Sequence, residues 1–120
     1  MGNPVVQWQI VARDPEAVTR FYSALFGWKV DANNALGYRA VTTGNGRGID
    51  GGVWPSPPEG HNLVQLFVEV EDIDASLARA LSLGAKVIVP KSELPDGDAL
   101  AIVLDPAGLS FGLYRPRPSV

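Results

Sequence analysis

The sequence contains one short pattern twice, and this duplication limits the folds open to the chain. The first copy, VQWQIVARDPEA, begins at Val6, and the second, VQLFVEVEDIDA, begins at Val64. A second pair of segments, FGWKV and LGAKV, follows each copy in the same order. Segments that recur in a fixed order indicate repeated structural units. We therefore predict two modules, over about 4–55 and about 62–116, within a single domain spanning residues 1–120.

Each copy predicts a helix with clear boundaries. Asp14, which precedes Pro15, and Asp72 are predicted N-caps, because an aspartate carboxylate accepts hydrogen bonds from the free backbone N–H groups of a helix's first turn. Gly27 and Gly84 follow the two helical patterns, and glycine ends helices because it adopts the left-handed conformation without strain.

Strands are expected before and after each helix. The predicted strands are 5–11, 28–30, 38–43 and 51–54 in the first module, and 63–70, 86–89, 99–104 and 109–114 in the second. The order β-α-β-β-β, written twice, predicts an α+β fold. We expect the two βαβββ modules to form a curved mixed sheet around a concave pocket, with the helices on its outer face.

Side chains alternate across a strand, which separates two faces in each opening strand. One face of strand 63–70 is wholly apolar and is expected to pack on the helices; it carries Val64, Leu66, Val68 and Val70. The opposite face mixes apolar and polar groups, as ligand pockets do. The candidate ligand-binding residues are Gln7, Gln9, Tyr38, Trp54, Gln65, Phe67 and Tyr114. A solvated face and a protein–protein contact are the alternatives.

Composition excludes several classes of function. The net charge of -3 argues against a nucleic-acid partner, which usually requires a basic patch. The chain has no cysteine, so disulfides, thiolate nucleophiles and cysteine-ligated metals are excluded. No apolar run reaches the roughly 18–20 residues of a membrane span. We expect no membrane contact, and a cytoplasmic location.

Three segments carry a resemblance to a known family: FYSALFGWKV, VEVEDIDASLARALSLGAKV and VLDPAGLSFGLYRP. With them the chain resembles the vicinal-oxygen-chelate superfamily, which includes glyoxalase I, extradiol dioxygenases and bleomycin-type resistance proteins. The similarity covers nearly the whole chain and implies the same paired-module fold. It also implies a homodimer.

The resemblance also implies where a divalent metal would bind. Enzymes of the superfamily take one ligand from the opening strand and one from the closing strand of each module. In this chain those positions fall on Gln7, Gly52, Gln65 and Gly112. Glycine offers no ligand atom, and neutral amides are poor ligands for divalent cations without charged partners. We therefore expect no metal and no other cofactor.

Two further residues bear on this expectation. Asp50 would supply a ligand only if its strand had a different register from the one that aligns Gly52. His61 is the only histidine; it lies in the linker between the modules, outside the matching position, and is interpreted as a surface residue.

Three hypotheses for function remain from the sequence. The preferred one is a metal-free protein that binds a small planar or aromatic organic molecule, similar to the drug-sequestering, antibiotic-resistance branch of the superfamily. The second is an enzyme of the same superfamily, a lyase, isomerase or dioxygenase with an atypical or absent metal site, in which Glu69 is a weak candidate for a general base. The third is a non-catalytic interaction module.

Overall fold

The computed structural model describes residues 2–34 and 36–118, so the ends of the predicted 1–120 domain lie outside the described residues. These residues form the elements β1 (Val5–Ala12), α1 (Pro15–Phe26), β2 (Lys29–Asp31), β3 (Arg39–Thr42), β4 (Gly51–Pro55), β5 (Leu63–Glu69), α2 (Ile73–Ser82), β6 (Lys86–Glu93), β7 (Ala99–Leu104) and β8 (Ser110–Arg115). The order β-α-β-β-β occurs twice, which confirms the α+β prediction. Within the described ranges no helix is long and apolar enough to span a membrane.

Both helices begin at the predicted caps. The Oδ1 atom of Asp14 accepts a hydrogen bond from the backbone N–H of Ala17 at 3.1 Å. The Oδ1 atom of Asp72 accepts one from the backbone N–H of Ala75 at 3.0 Å. Helix α1 ends at Gly27, whose φ of 72° is left-handed, as the sequence predicts.

Residues 7–65 form one compact unit. Its strands lie in the order β2-β3-β4-β1, with β3 antiparallel to both neighbours and β4 parallel to β1. The core of this unit is built on Ala12, Val41 and Val53. Val18 of α1 packs against that core, so the helix covers the sheet face that carries Ala12.

Aromatic rings of the FYSALFGW segment pack around Trp28 in this unit. The centroid of the Trp28 ring lies 5.2 Å from that of Trp8, 5.4 Å from that of Tyr22 and 5.2 Å from that of Phe26. Aromatic pairs at these separations contribute beyond their buried area. The segment therefore fastens the end of α1 to β1.

Residues 2–6 and 66–118 form the second compact unit. Here β8 is parallel to β5 and antiparallel to β7, and β7 is antiparallel to β6. Its buried core consists of Val70, Ile73, Ala99, Ala101, Val103 and Leu113. Leu77 and Ala80 of α2 pack on this core, so each helix covers the hydrophobic core of its own unit.

Strand β6 is longer than predicted. The sequence pattern ends at Val89, whereas the strand continues to Glu93. Its pairing with β7 shifts register between Val89 and Ser92, the interval that contains Pro90. Proline cannot donate a backbone hydrogen bond, and an irregular pairing tolerates it within a strand.

The apolar face of β5 is less covered than predicted. Val64 is 67% exposed and Leu66 is 50% exposed, whereas Val70 is only 9% exposed. Helix α2 packs on β6, β7 and β8 and on a core that includes Val70, the residue after β5, so the earlier residues of β5 stay uncovered. The expectation that the whole face packs on helices was therefore wrong for Val64 and Leu66.

Candidate functional site

Four of the predicted ligand-binding residues lie together within residues 7–65. Gln7 and Gln9 are two residues apart on β1 and therefore project from the same face of the strand. Tyr38 immediately precedes β3, and Trp54 lies on β4. We call these four residues the amide–aromatic cluster.

Consecutive hydrogen bonds connect the polar groups of the cluster. The Nε2 atom of Gln9 donates to Oε1 of Gln7 at 2.8 Å and to the hydroxyl oxygen of Tyr38 at 3.3 Å. The Tyr38 hydroxyl in turn donates to the backbone carbonyl of Gly51 at 3.3 Å. Gln9 is only 2% exposed, and no described residue donates a hydrogen bond to its buried Oε1 atom.

Tyr38 is positioned from two sides. The side chain of Asn34 donates to the backbone carbonyl of Tyr38 at 2.6 Å and accepts from its backbone N–H at 3.2 Å. The Tyr38 ring lies 4.4 Å from the ring of Trp54, with an angle of 35° between the planes. Burial raises the pKa of Tyr38, and the hydrogen bond from Gln9 lowers it by less. The phenol is therefore neutral at physiological pH.

The Tyr38 ring fills the space beside Gly52, a predicted metal-ligand position. A Cβ atom on Gly52 would meet the hydroxyl oxygen and two ring carbons of Tyr38. Each of these separations would be well under 3.0 Å, a distance that Cβ atoms in proteins essentially never reach. Gly52 pairs with Gln9 in the parallel β1–β4 register. The closing strand thus carries glycine at this position because an aromatic ring lies against it.

The second module repeats this arrangement with a different ring. A Cβ atom on Gly112 would lie 2.5 Å from Cε1 of Phe67, and Gly112 pairs with Phe67 in the β5–β8 register. Phe67 is only 2% exposed. This candidate ligand-binding residue therefore fills the place of a closing-strand side chain.

The residues present do not fit a divalent metal. Two of the four predicted ligand positions are glycines that face aromatic rings, and the other two are neutral amides. Within residues 2–34 and 36–118, no three His, Cys, Asp or Glu side chains are grouped to hold a metal ion. Asp50 caps the β3–β4 turn instead, because its Oδ1 atom accepts from the backbone N–H of Thr43 at 3.0 Å. His61 is exposed.

Tyr114 lies in the other unit and contacts acidic groups. Its hydroxyl donates to Oδ2 of Asp98 at 2.8 Å. Burial, this hydrogen bond and the negative charges of Asp98, Asp96 and Glu69 all raise the pKa of Tyr114 well above its ordinary value. Glu69, the candidate base, is half-buried and lies opposite Tyr114 in the β5–β8 register.

Sequence reasoning missed Asp98 as a partner of Tyr114. The sequence places Asp98 in a loop of carboxylates that suggests solvated charges. Its Oδ1 atom also accepts from the backbone N–H of Arg117 at 2.6 Å, so this carboxylate ties the loop to the end of β8. Strands 99–104 and 109–114 were both predicted, and their antiparallel pairing places the beginning of β7, next to Asp98, beside the end of β8.

Gln65 is the remaining candidate. It lies on β5 and is buried, with 6% of its surface exposed. Its burial agrees with a position on the inner face of the strand. Its role in binding stays a prediction.

Comparison with known proteins adds the family. The model of the glyoxalase-like domain matches residues 6–114. The chain belongs to the glyoxalase-like domain family. This family is part of the vicinal-oxygen-chelate superfamily, as the resemblance implied.

Curated relatives contain this glyoxalase-like domain as part of a longer chain. Two proteins named "Putative glyoxylase CFP32", from Mycobacterium bovis and Mycobacterium tuberculosis, are each 29% identical over 109 residues. The match covers 85% of this chain but 41% of theirs, so the chain spans less than half the length of these relatives.

Solved structures share the fold of the glyoxalase-like domain. A methylmalonyl-CoA epimerase from Mycobacterium tuberculosis has a TM-score of 0.66 at 17% identity, covering 95% of this chain and 88% of the epimerase chain. A hypothetical protein from Bacillus halodurans has a TM-score of 0.68 at 12% identity, covering 100% of this chain and 99% of the other. At such identities the likeness concerns the fold alone.

Proposed function

We propose that this protein binds a small, uncharged, planar organic molecule at the amide–aromatic cluster without a divalent metal. One observation carries the proposal. The position on β4 at which superfamily enzymes hold a metal ligand is Gly52, and the Tyr38 phenol lies where that ligand would be. An aromatic ring and its hydroxyl therefore stand at this position instead of a metal ligand.

The chemistry of the cluster supports an organic ligand. Tyr38 and Trp54 pack on each other with ring centroids 4.4 Å apart, and both are only half-buried, so part of this aromatic surface is open to stacking by a planar molecule. Gln7 and Gln9 supply amide groups that orient a ligand by hydrogen bonds. None of the four side chains carries a charge at physiological pH, which favours an uncharged partner over an anion or a metal ion.

The lack of suitable metal ligands at the four predicted positions also distinguishes this proposal from metal-dependent catalysis. The names of the relatives, glyoxylase and epimerase, refer to enzymes. A metal-dependent enzyme would need charged or imidazole ligands, and the four predicted ligand positions carry only amides and glycines. Binding without catalysis requires none of these groups.

Thermal unfolding in the presence of added ligands tests the proposal. Purified protein is treated with a chelator and heated with NiCl2, ZnCl2 or MnCl2, and separately with a panel of neutral aromatic amides and phenols. A compound present at a hundred times its dissociation constant stabilises a protein by about 2.7 kcal/mol. We expect stabilisation by members of the organic panel and none by the metals.

A pair of variants locates the binding. Tyr38→Ala removes the ring beside Gly52 and is expected to abolish the stabilisation by organic compounds. Leu109→Ala changes a side chain that is 68% exposed in the other unit and should leave that stabilisation intact. Stabilisation by metals alone, or an equal response of both variants to the panel, would contradict the proposal.

A further inference from the structure

We propose that Gln9 selects the chemistry of the ligand, through a hydrogen bond that its side-chain oxygen accepts from an N–H or O–H group of the bound molecule. The inference rests on the proposed function and adds a ligand class to it: uncharged aromatic molecules that carry a hydrogen-bond donor. Gln9 is not one of the four positions at which superfamily enzymes hold a metal.

The orientation of the Gln9 amide follows from the backbone. The carbonyl oxygen of Gly51 can only accept a hydrogen bond, so the Tyr38 hydroxyl 3.3 Å away must donate to it. The hydroxyl has a single proton, so its oxygen accepts in the bond with Gln9. The amide accordingly turns its nitrogen toward Tyr38, which is its orientation in the structure.

This orientation leaves one acceptor without a donor. The Gln9 nitrogen uses its two protons on Oε1 of Gln7 and the oxygen of Tyr38. Its Oε1 atom is buried, and no described residue donates to it. More than nine in ten buried polar groups in proteins are paired, so an unpaired acceptor in a residue that is only 2% exposed indicates a partner from outside the chain, either ordered water or a bound molecule that replaces it.

The rest of the cluster indicates what kind of partner fits. The Tyr38 proton is already donated to Gly51, and both Gln9 amide protons are also in use. An unpaired oxygen attracts a donor and repels a carboxylate or phosphate, whose oxygens only accept. The Nε2 group of Gln7 has no described acceptor and is half-buried, so it can donate to a carbonyl of the same ligand. A primary amide presents both a donor and an acceptor.

The buried oxygen becomes accessible if a neighbouring group moves. Both hydrogen bonds of the Tyr38 hydroxyl measure 3.3 Å, at the long end for an O–H or N–H donor, whereas the bond between Gln9 and Gln7 measures 2.8 Å. Tyr38 is thus the more weakly held group in the cluster. A shift of the Tyr38 ring would open a path to Oε1 of Gln9, and a carbonyl of the ligand would then accept the Nε2 proton that the hydroxyl releases.

Three small probes of matched shape test this inference by NMR titration of the ¹⁵N-labelled protein. Benzamide carries N–H donors, acetophenone replaces the amino group with a methyl group of similar size, and benzoate replaces it with a charged oxygen. We expect benzamide to bind at least about tenfold more tightly than the other two. It should also shift the side-chain amide resonances of Gln9 and Gln7.

Two variants refine the test. Gln9→Leu removes the unpaired oxygen, and it should reduce the preference for benzamide over acetophenone to about onefold. Asn45→Leu removes an amide from an exposed loop and should keep the preference. If Gln9→Leu fails to fold, the comparison of benzamide with acetophenone on the unaltered protein still decides the question.

The outcomes separate this inference from the proposed function. Equal affinity for all three probes would overturn the role of Gln9 and leave organic ligand binding standing. Tighter binding of benzoate than of benzamide would overturn it as well. If no probe binds and a divalent metal stabilises the protein instead, the proposed function falls together with the inference.

Discussion

The phenol ring of Tyr38 occupies the space beside Gly52 in which any other residue would place its side chain. Phe67 has the same relationship to Gly112 in the second module. Both glycines are positions at which the resemblance predicts a metal ligand in superfamily enzymes. Because each glycine and the ring beside it compete for one space, we expect substitutions at the two residues to have coupled effects on the free energy of unfolding.

The contact between Gly52 and Tyr38 predicts a strong energetic coupling. Gly52→Ala should lower the free energy of unfolding by about 1–3 kcal/mol, because the new methyl group forces the Tyr38 ring out of place. In a Tyr38→Ala background the same substitution should be nearly neutral, because the space is then open. Urea unfolding of the four proteins gives the coupling energy. Additive effects of the two substitutions would show that the ring and the glycine do not compete for space.

The contact between Gly112 and Phe67 predicts a similar effect in the core. Gly112→Ala should destabilise the protein by about 1–3 kcal/mol, because the ring it meets belongs to a side chain only 2% exposed. Phe67→Leu removes the edge of that ring, so it should reduce the cost of the alanine. Thermal unfolding of the two single variants and the double variant measures this. An unchanged melting temperature for Gly112→Ala alone would contradict the packing.

At alkaline pH, the ionisation of Tyr114 should lower the free energy of unfolding of the protein. Because the folded state raises the pKa of Tyr114 above its ordinary value, the native protein holds the phenol proton more tightly than the unfolded chain does. The resulting stabilisation is complete below a pH of about 10 and is lost as the pH rises above that value. Tyr114→Phe removes it, so the difference in unfolding free energy between wild type and variant should shrink from pH 8 to pH 11. Urea midpoints across this range measure the difference; one that stays constant or widens would exclude the effect.

Ligand binding should be visible in the fluorescence of Trp54. Its ring lies 4.4 Å from that of Tyr38, so a molecule that displaces the phenol changes the surroundings of the indole. A ligand from the organic panel should change the emission of the unaltered protein, and the change should largely disappear in Trp54→Phe. Trp28→Phe serves as the control, because Trp28 packs against Trp8 and the end of α1. A response lost in Trp28→Phe but kept in Trp54→Phe would place the ligand elsewhere.

The features predicted well from the sequence depend on neighbours along the chain. Asp14 and Asp72 act on backbone groups three residues away, so their chemistry can be recognised within one helical turn. The duplication indicated the order of the strands along the chain because each module repeats the same local signals. Alternation along β1 placed Gln7 and Gln9 on one face, and in the structure Gln9 donates hydrogen bonds to both Gln7 and Tyr38.

The features that escaped prediction depend on contacts between distant residues. Nothing local to Gly52 shows that the ring of Tyr38 lies against it, because the contact depends on how the loop before β3 folds back. The exposure of Val64 and Leu66 depends on which strands α2 covers, namely β6, β7 and β8, and alternation along β5 does not encode that choice. The direction of the hydrogen bonds around Gln9 depends on a backbone carbonyl, and a sequence carries no sign of its position.

The rings over Gly52 and Gly112 also constrain how such a chain could evolve. To introduce a chelating side chain at either glycine, a lineage must change two residues. If the glycine grows first, the new side chain collides with a ring; if the ring shrinks first, the interior is left with a void. Either intermediate is less stable than its parent. In each module, a mutational path toward metal chelation must therefore pass through a destabilised protein.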